Sequence, residues 1–105
     1  MNNNELLNLI DNIPYEILTY ANSKYTVQEI AFPPKRVEIN FILNNAIVCF
    51  IKVYGDNTIF LSYFNAALAY FNDEEEKPEY RNCYIAMEQT KAYLEILGFK
   101  CVNYS

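Results

Sequence analysis

Polar and apolar residues alternate most regularly from Val37 to Leu43, where Val37, Ile39, Phe41 and Leu43 are interleaved with Glu38, Asn40 and Ile42. A period of two sorts side chains onto the two faces of a pleated strand. Asn44 and Asn45 follow, two residues tolerant of positive φ, and then residues 46–54 form a second run rich in β-branched and aromatic side chains. This pattern predicts a hairpin. Gly55, Asp56 and Asn57 predict another turn, with residues 58–63 as a third antiparallel strand of the same meander. The chain beyond Ser62 reads two ways. Phe60, Phe64, Leu68 and Phe71 lie at helical spacing in an alanine-containing stretch, so residues 58–71 also fit one helix capped by Thr58.

Helical periodicity marks two further segments. In residues 5–13, Leu6, Leu7, Leu9, Ile10 and Ile13 recur three and four apart around Asn8, Asp11 and Asn12, which predicts a short amphipathic helix ended by Pro14. Residues 79–97 give the longest pattern. Tyr80, Cys83, Tyr84, Met87, Leu94 and Leu97 form a stripe widened by Ile85, Ala92 and Ile96, while Glu88, Lys91 and Glu95 share the other face. Pro78 suits the start of this helix, and Gly98 can take the left-handed conformation that closes it and folds Phe99 back.

The aromatic and β-branched runs at residues 15–20 and 25–30, separated by a turn-like 21–24, predict one more hairpin. Pro33 and Pro34 mark a loop or an edge. Residues 99–104 predict a last strand, at a sheet edge. Together these elements predict one α+β domain over residues 1–105, with an antiparallel sheet of about four to six strands. The short N-terminal helix and the long C-terminal helix are expected on one face. The expected core comprises Ile39, Phe41, Ile47, Phe50, Val53, Met87, Leu94 and Leu97.

A chain of 105 residues, 52% hydrophobic, with two glycines and four prolines, has the composition of one folded domain rather than of a disordered segment. Cys49, Cys83 and Cys101 are widely spaced and form no CxxC, so they read as buried small hydrophobes in a reducing compartment. The start lacks the cationic region of a signal peptide, and no stretch reaches the 18 or so uninterrupted apolar residues of a membrane span. A cytoplasmic protein with no membrane association is expected.

Composition also narrows the chemistry. There is no histidine, the commonest general base and metal ligand. Ser23, Ser62 and Ser105 therefore lack their usual activator. Cys49 lies in an apolar run where burial raises a thiol pKa. Lys35-Arg36 is the only basic pair in a chain of net charge -5, too little for direct nucleic-acid binding. The reading is a non-enzyme without cofactor or metal.

Two features point instead to a protein partner. Asp73, Glu74, Glu75 and Glu76, with Glu79 close behind, make a local negative potential able to steer a basic partner. The same run also suits a solvated helix entrance, where carboxylates favour the helix dipole. The ten tyrosines are the second feature, since tyrosine is enriched at binding hot spots. Tyr15, Tyr20, Tyr25 and Tyr63, in polar-flanked strands or at strand ends, are the expected contact residues, with Tyr80 and Tyr84 in the core. The expected function is a small acidic protein-binding domain, an immunity-type or antitoxin-like stoichiometric inhibitor of a basic enzyme such as a bacterial toxin or effector domain. The alternative is a chaperone-like or regulatory adaptor acting through self-association or client binding, which allows a homodimer.

Overall fold

The computed structural model describes residues 1–63 and 78–102. The alternatives for residues 64–71, the acidic residues Asp73, Glu74, Glu75 and Glu76, and the last strand's end at Asn103 and Tyr104 lie outside the described residues. The architecture is α+β. Five strands, β1 (Lys24–Ile30), β2 (Arg36–Leu43), β3 (Ala46–Tyr54), β4 (Thr58–Tyr63) and β5 (Lys100–Cys101), lie side by side in chain order. The first four form an antiparallel meander, and β5 joins β4 in parallel through Thr58 opposite Lys100 and Ile59 opposite Cys101.

Local chemistry explains the turns. Asn44 and Asn45 both take positive φ (53° and 64°), which is what a two-residue hairpin between Leu43 and Ala46 requires. Asp56 accepts hydrogen bonds from the backbone N–H and hydroxyl of Thr58, at 3.2 and 2.6 Å, and Asn57 takes a φ of 66°. Residues 58–63 are strand, so within the described residues the meander reading holds and the helix reading does not.

Helix α1 (Asn3–Asp11) opens with a reciprocal cap. The Asn2 side chain accepts from the Glu5 backbone N–H at 2.9 Å, and the Asn2 N–H donates to the Glu5 carboxylate at 3.2 Å. Leu6 and Ile10 are buried. Helix α3 (Pro78–Ile96) closes as its glycine implies. Gly98 has a φ of 105°, its N–H donates to the Glu95 carbonyl at 3.0 Å, and the Phe99 N–H donates to the Leu94 carbonyl at 3.0 Å. Phe99 is thereby turned back into the core.

One hydrophobic cluster unites both helices with one sheet face. Strand register puts Val37, Ile39 and Phe41 of β2 opposite Val53, Ile51 and Cys49 of β3, and these pack with Leu6 and Ile10 of α1 and with Met87 and Leu94 of α3. Ile39, Phe41, Val53, Met87 and Leu94 are buried as expected. Three expected core residues are not. The β2–β3 register shifts between Phe41 and Ile42, so that Cys49 lies opposite Phe41 but Ile47 lies opposite Ile42. An extra residue, Val48, is accommodated there. The inward set on β3 becomes Cys49, Ile51 and Val53, Ile47 is 37% exposed, and Phe50 falls on the opposite sheet face, half-buried. Leu97 is 47% exposed and Ile96 82%, because α3 ends at Ile96 and the chain turns away at Gly98 before another helical turn can reach the core. Ala86 and Thr90 complete the buried face instead. The Thr90 hydroxyl donates to the Ala86 carbonyl at 2.8 Å, which satisfies it inside the helix.

The first expected hairpin is half wrong. Residues 25–30 are strand, but Tyr15–Leu18 is a single helical turn, α2, followed by a 3-10 turn at Tyr20–Asn22. Short polar side chains decide this locally. The Thr19 hydroxyl donates to the Tyr15 carbonyl at 2.7 Å and the Ser23 hydroxyl to the Tyr20 carbonyl at 2.6 Å, while Leu18 is buried in the common core. Local bonds and burial of one apolar side chain outweigh the β-propensity of the run.

Candidate partner-binding surface

Strand directions gather the sequence-predicted tyrosines at one end of the sheet. The start of β1, the β2–β3 turn and the end of β4 all lie there. Tyr15 is held out by α2 and is 67% exposed. Its ring meets that of Tyr25 edge to face, with centroids 6.4 Å apart. Tyr15 and Tyr25 line a surface cleft together with Thr19, Asn22, Ser23 and Lys24. Tyr20 lies in the intervening 3-10 turn, at the exposed margin. Tyr15 and Tyr20 thus reach the surface from helical turns rather than from strands.

On its other side the Asn22-Ser23-Lys24 ridge borders a second cleft of about 370 Å³. Asn44 and Asn45 from the β2–β3 turn and Glu79 and Asn82 of α3 also line it. The cleft lined by Tyr15 and Tyr25 and the one lined by Glu79 thus share Asn22, Ser23 and Lys24. The lining of the second cleft is rich in side-chain amides, which present donors and acceptors together, with one ammonium at Lys24 and one carboxylate at Glu79. Sequence reasoning found the Asn44-Asn45 turn but not its place in the cleft, nor Asn22, Lys24 or Asn82. The long-range register that assembles them carries no local signal.

Tyr63 reaches the same end of the sheet but does different work. Its ring lies 5.0 Å from that of Tyr84, and its hydroxyl donates to the Glu88 carboxylate at 3.2 Å. Burial, reinforced by the neighbouring Glu88 charge, pushes its phenol well above the usual range. Tyr84 is pushed up to about 12, chiefly by burial. Glu88 also faces Lys91 at 4.0 Å, and Lys91 faces Glu95 at 3.9 Å, a charged line along the outer side of α3. Tyr63 is thus tied between β4 and α3 and stands apart from the two clefts.

The thiols are held as inward groups. Cys49 Sγ donates to the Cys83 carbonyl at 3.8 Å, and Cys83 Sγ points to the Ile42 carbonyl at 4.0 Å. Burial raises both pKa values, and that of the half-buried Cys101 as well. Nucleophilic thiolate is disfavoured at each. Among the described residues no three acidic or cysteine side chains converge on a metal position, and no helix is long and apolar enough to cross a membrane. On the sheet face away from the core, the Lys52 ammonium lies 5.6 Å from the centroids of both Phe50 and Phe60, a cation–π arrangement beside Tyr54 and Thr58. Comparison with protein-family models, with curated proteins and with solved structures finds no match for this chain.

Proposed function

We propose that the chain is a small acidic protein-binding domain, an immunity-type inhibitor that neutralises a basic partner enzyme such as a bacterial toxin through the Tyr15–Tyr25 end of the sheet. The observation that carries this reading is the edge-to-face pair of the exposed Tyr15 and the half-buried Tyr25, beside a polar cleft lined in part by Glu79. Stacked tyrosines offer a large amphipathic area with little rotamer freedom to lose, the usual make-up of an anchoring contact. The net charge of -5 supplies the long-range attraction to a basic surface. Asp73, Glu74, Glu75 and Glu76 enter this reading as steering groups and Glu79 as a carboxylate lining the neighbouring cleft. A reducing compartment, the cytoplasm, suits three cysteines held in no disulfide.

The test is capture of the native partner followed by association kinetics with purified components. Replacing Asp73, Glu74, Glu75 and Glu76 with their amides should slow association and flatten its salt dependence, because rim charges act chiefly on encounter. An unchanged on-rate at both low and high salt removes the steering role from these residues.

A further inference from the structure

We propose that the cleft of about 370 Å³ between the Asn22-Ser23-Lys24 segment, the β2–β3 turn and the start of α3 binds an extended peptide segment by its backbone, and that the basic partner supplies this segment. The source of the peptide rests on the partner-binding reading; the chemistry of the cleft does not. Four carboxamides line it, those of Asn22, Asn44, Asn45 and Asn82, drawn from three separate stretches of the chain. Among the described residues none of these carboxamides has a hydrogen-bond partner, and neither the Lys24 ammonium nor the Glu79 carboxylate is ion-paired. A carboxamide carries an acceptor oxygen and two N–H donors, the same groups as a peptide bond, so it bonds to the N–H and C=O of an extended chain together. Rigid elements carry three of the four. Asn44 and Asn45 are the central residues of the hairpin turn, both at positive φ, and Asn82 stands on α3.

The lining disfavours other ligand classes. No aromatic ring among the described residues lines the cleft, so a nucleobase or a sugar ring has no face to stack on. A phosphate asks for an excess of positive charge, whereas Lys24 is matched here by Glu79. An apolar ligand asks for walls of large hydrophobic side chains, and among the described residues only Ile42 and Leu43 supply them. The volume lies at the small end of ligand sites, enough for a short segment and too little for a folded element. Glu79 and Lys24 then act on what the segment carries. A lysine or arginine pairs with the Glu79 carboxylate, and a backbone carbonyl accepts from the Lys24 ammonium.

Proton–nitrogen NMR spectra of the whole chain read the cleft directly, through the side-chain NH2 resonances of Asn22, Asn44, Asn45 and Asn82. The probe is the blocked tripeptide acetyl-Gly-Lys-Gly-amide, and its control is the same peptide with every backbone nitrogen methylated. The probe should move these resonances with a midpoint of roughly 1 to 10 mM, the range of a few hydrogen bonds to a short ligand. The methylated peptide and glucose should not move them. Asn82→Leu should weaken the probe by roughly five- to tenfold, and Glu79→Gln, at an exposed position, by roughly two- to threefold. Backbone resonances of the same spectra verify that each variant is folded. Equal shifts with the methylated peptide, a stronger response to glucose, or no shift up to about 30 mM overturns backbone recognition in the cleft. With the captured partner, Asn82→Leu should speed dissociation severalfold. If it leaves that rate unaltered while Tyr15→Ala raises it, the assignment of the cleft to the partner is overturned and the tyrosine anchor stands. If neither variant alters the rate, the partner-binding reading of this end of the sheet fails with it.

Discussion

Tyr15 and Tyr25 meet edge to face at 6.4 Å on the open rim of the sheet, while Tyr63 and Tyr84 meet at 5.0 Å between β4 and α3. The first pair is carried by a helical turn and an edge strand, with Tyr15 67% exposed. The second is packed against a long helix: Tyr84 is 7% exposed, and Tyr63, itself 36% exposed, has its hydroxyl bonded to Glu88. One residue type at one end of one sheet therefore divides into two roles, and what divides it is the element packed above each ring. Area already covered by α3 contributes to the fold. Area left open on α2 remains available to something else.

The largest effect that separates the pairs is on stability. Tyr84→Ala should cost about 3 to 5 kcal/mol, as for other buried aromatic truncations, whereas Tyr15→Ala should stay within about 0.5 kcal/mol. Denaturant titration measures both, and equal losses would erase the distinction. Leu94→Ala, on the same buried face of α3 as Tyr84, should lose about 2 to 5 kcal/mol. An unchanged melting temperature would remove that helix face from the core.

A smaller effect of opposite sign is expected in the segment that displays the open pair. Ala21 takes a φ of 52° and ψ of 39°, a left-handed conformation that an L residue with a Cβ resists and glycine does not. Ala21→Gly should therefore stabilise the protein by about 0.5 to 1 kcal/mol, since the relieved strain exceeds glycine's extra chain entropy. A loss of stability there would mean that the turn is not strained.

The smallest effect is confined to alkaline pH and belongs to the covered pair. Tyr63, Tyr84 and Cys49 all ionise at higher pH in the fold than their ordinary values of 10.0 for the phenols and 9.0 for the thiol. A raised folded pKa means that ionisation favours the unfolded chain. The contribution is complete below pH 9 and is lost as pH rises past 9 and 10 toward the folded values. Tyr63→Phe should make the alkaline fall in stability less steep, as read from melting temperatures across that range. Cys49 should likewise resist thiol reagents until the domain unfolds, and rapid labelling of the native protein would contradict its burial.

Much of this frame was legible in the chain. Alternation from Val37, the Asn44-Asn45 turn and the Gly98 boundary are local signals, and each is realised as read. Two kinds of error mark where local signals stop. The bulge at Val48 moves Ile47 outward because the register between two strands is a property of the pair, not of either strand's pattern. Residues 15–20 look like strand by composition and fold as helical turns because Thr19 and Ser23 bond backward to carbonyls and Leu18 finds the core. The candidate surface was visible only in part, for the same reason. Tyr15 and Tyr25 could be named as tyrosines in polar surroundings, but their stacking, the Asn22-Ser23-Lys24 ridge and the tie from Tyr63 to Glu88 arise from segments far apart in sequence.

The most direct measurement is the dissociation rate of the captured partner from the Tyr15→Ala and Tyr63→Phe variants, compared with the unaltered chain. Tyr15→Ala should release the partner roughly 30-fold faster, equivalent to a hot-spot loss of about 2 kcal/mol. Tyr63→Phe should leave the rate unchanged, because that ring is already engaged by α3 and the substitution removes only its bond to Glu88. If Tyr15→Ala dissociates at the unaltered rate while Tyr63→Phe accelerates release, the partner binds the face carrying α3, and the division of roles between the two tyrosine pairs is reversed.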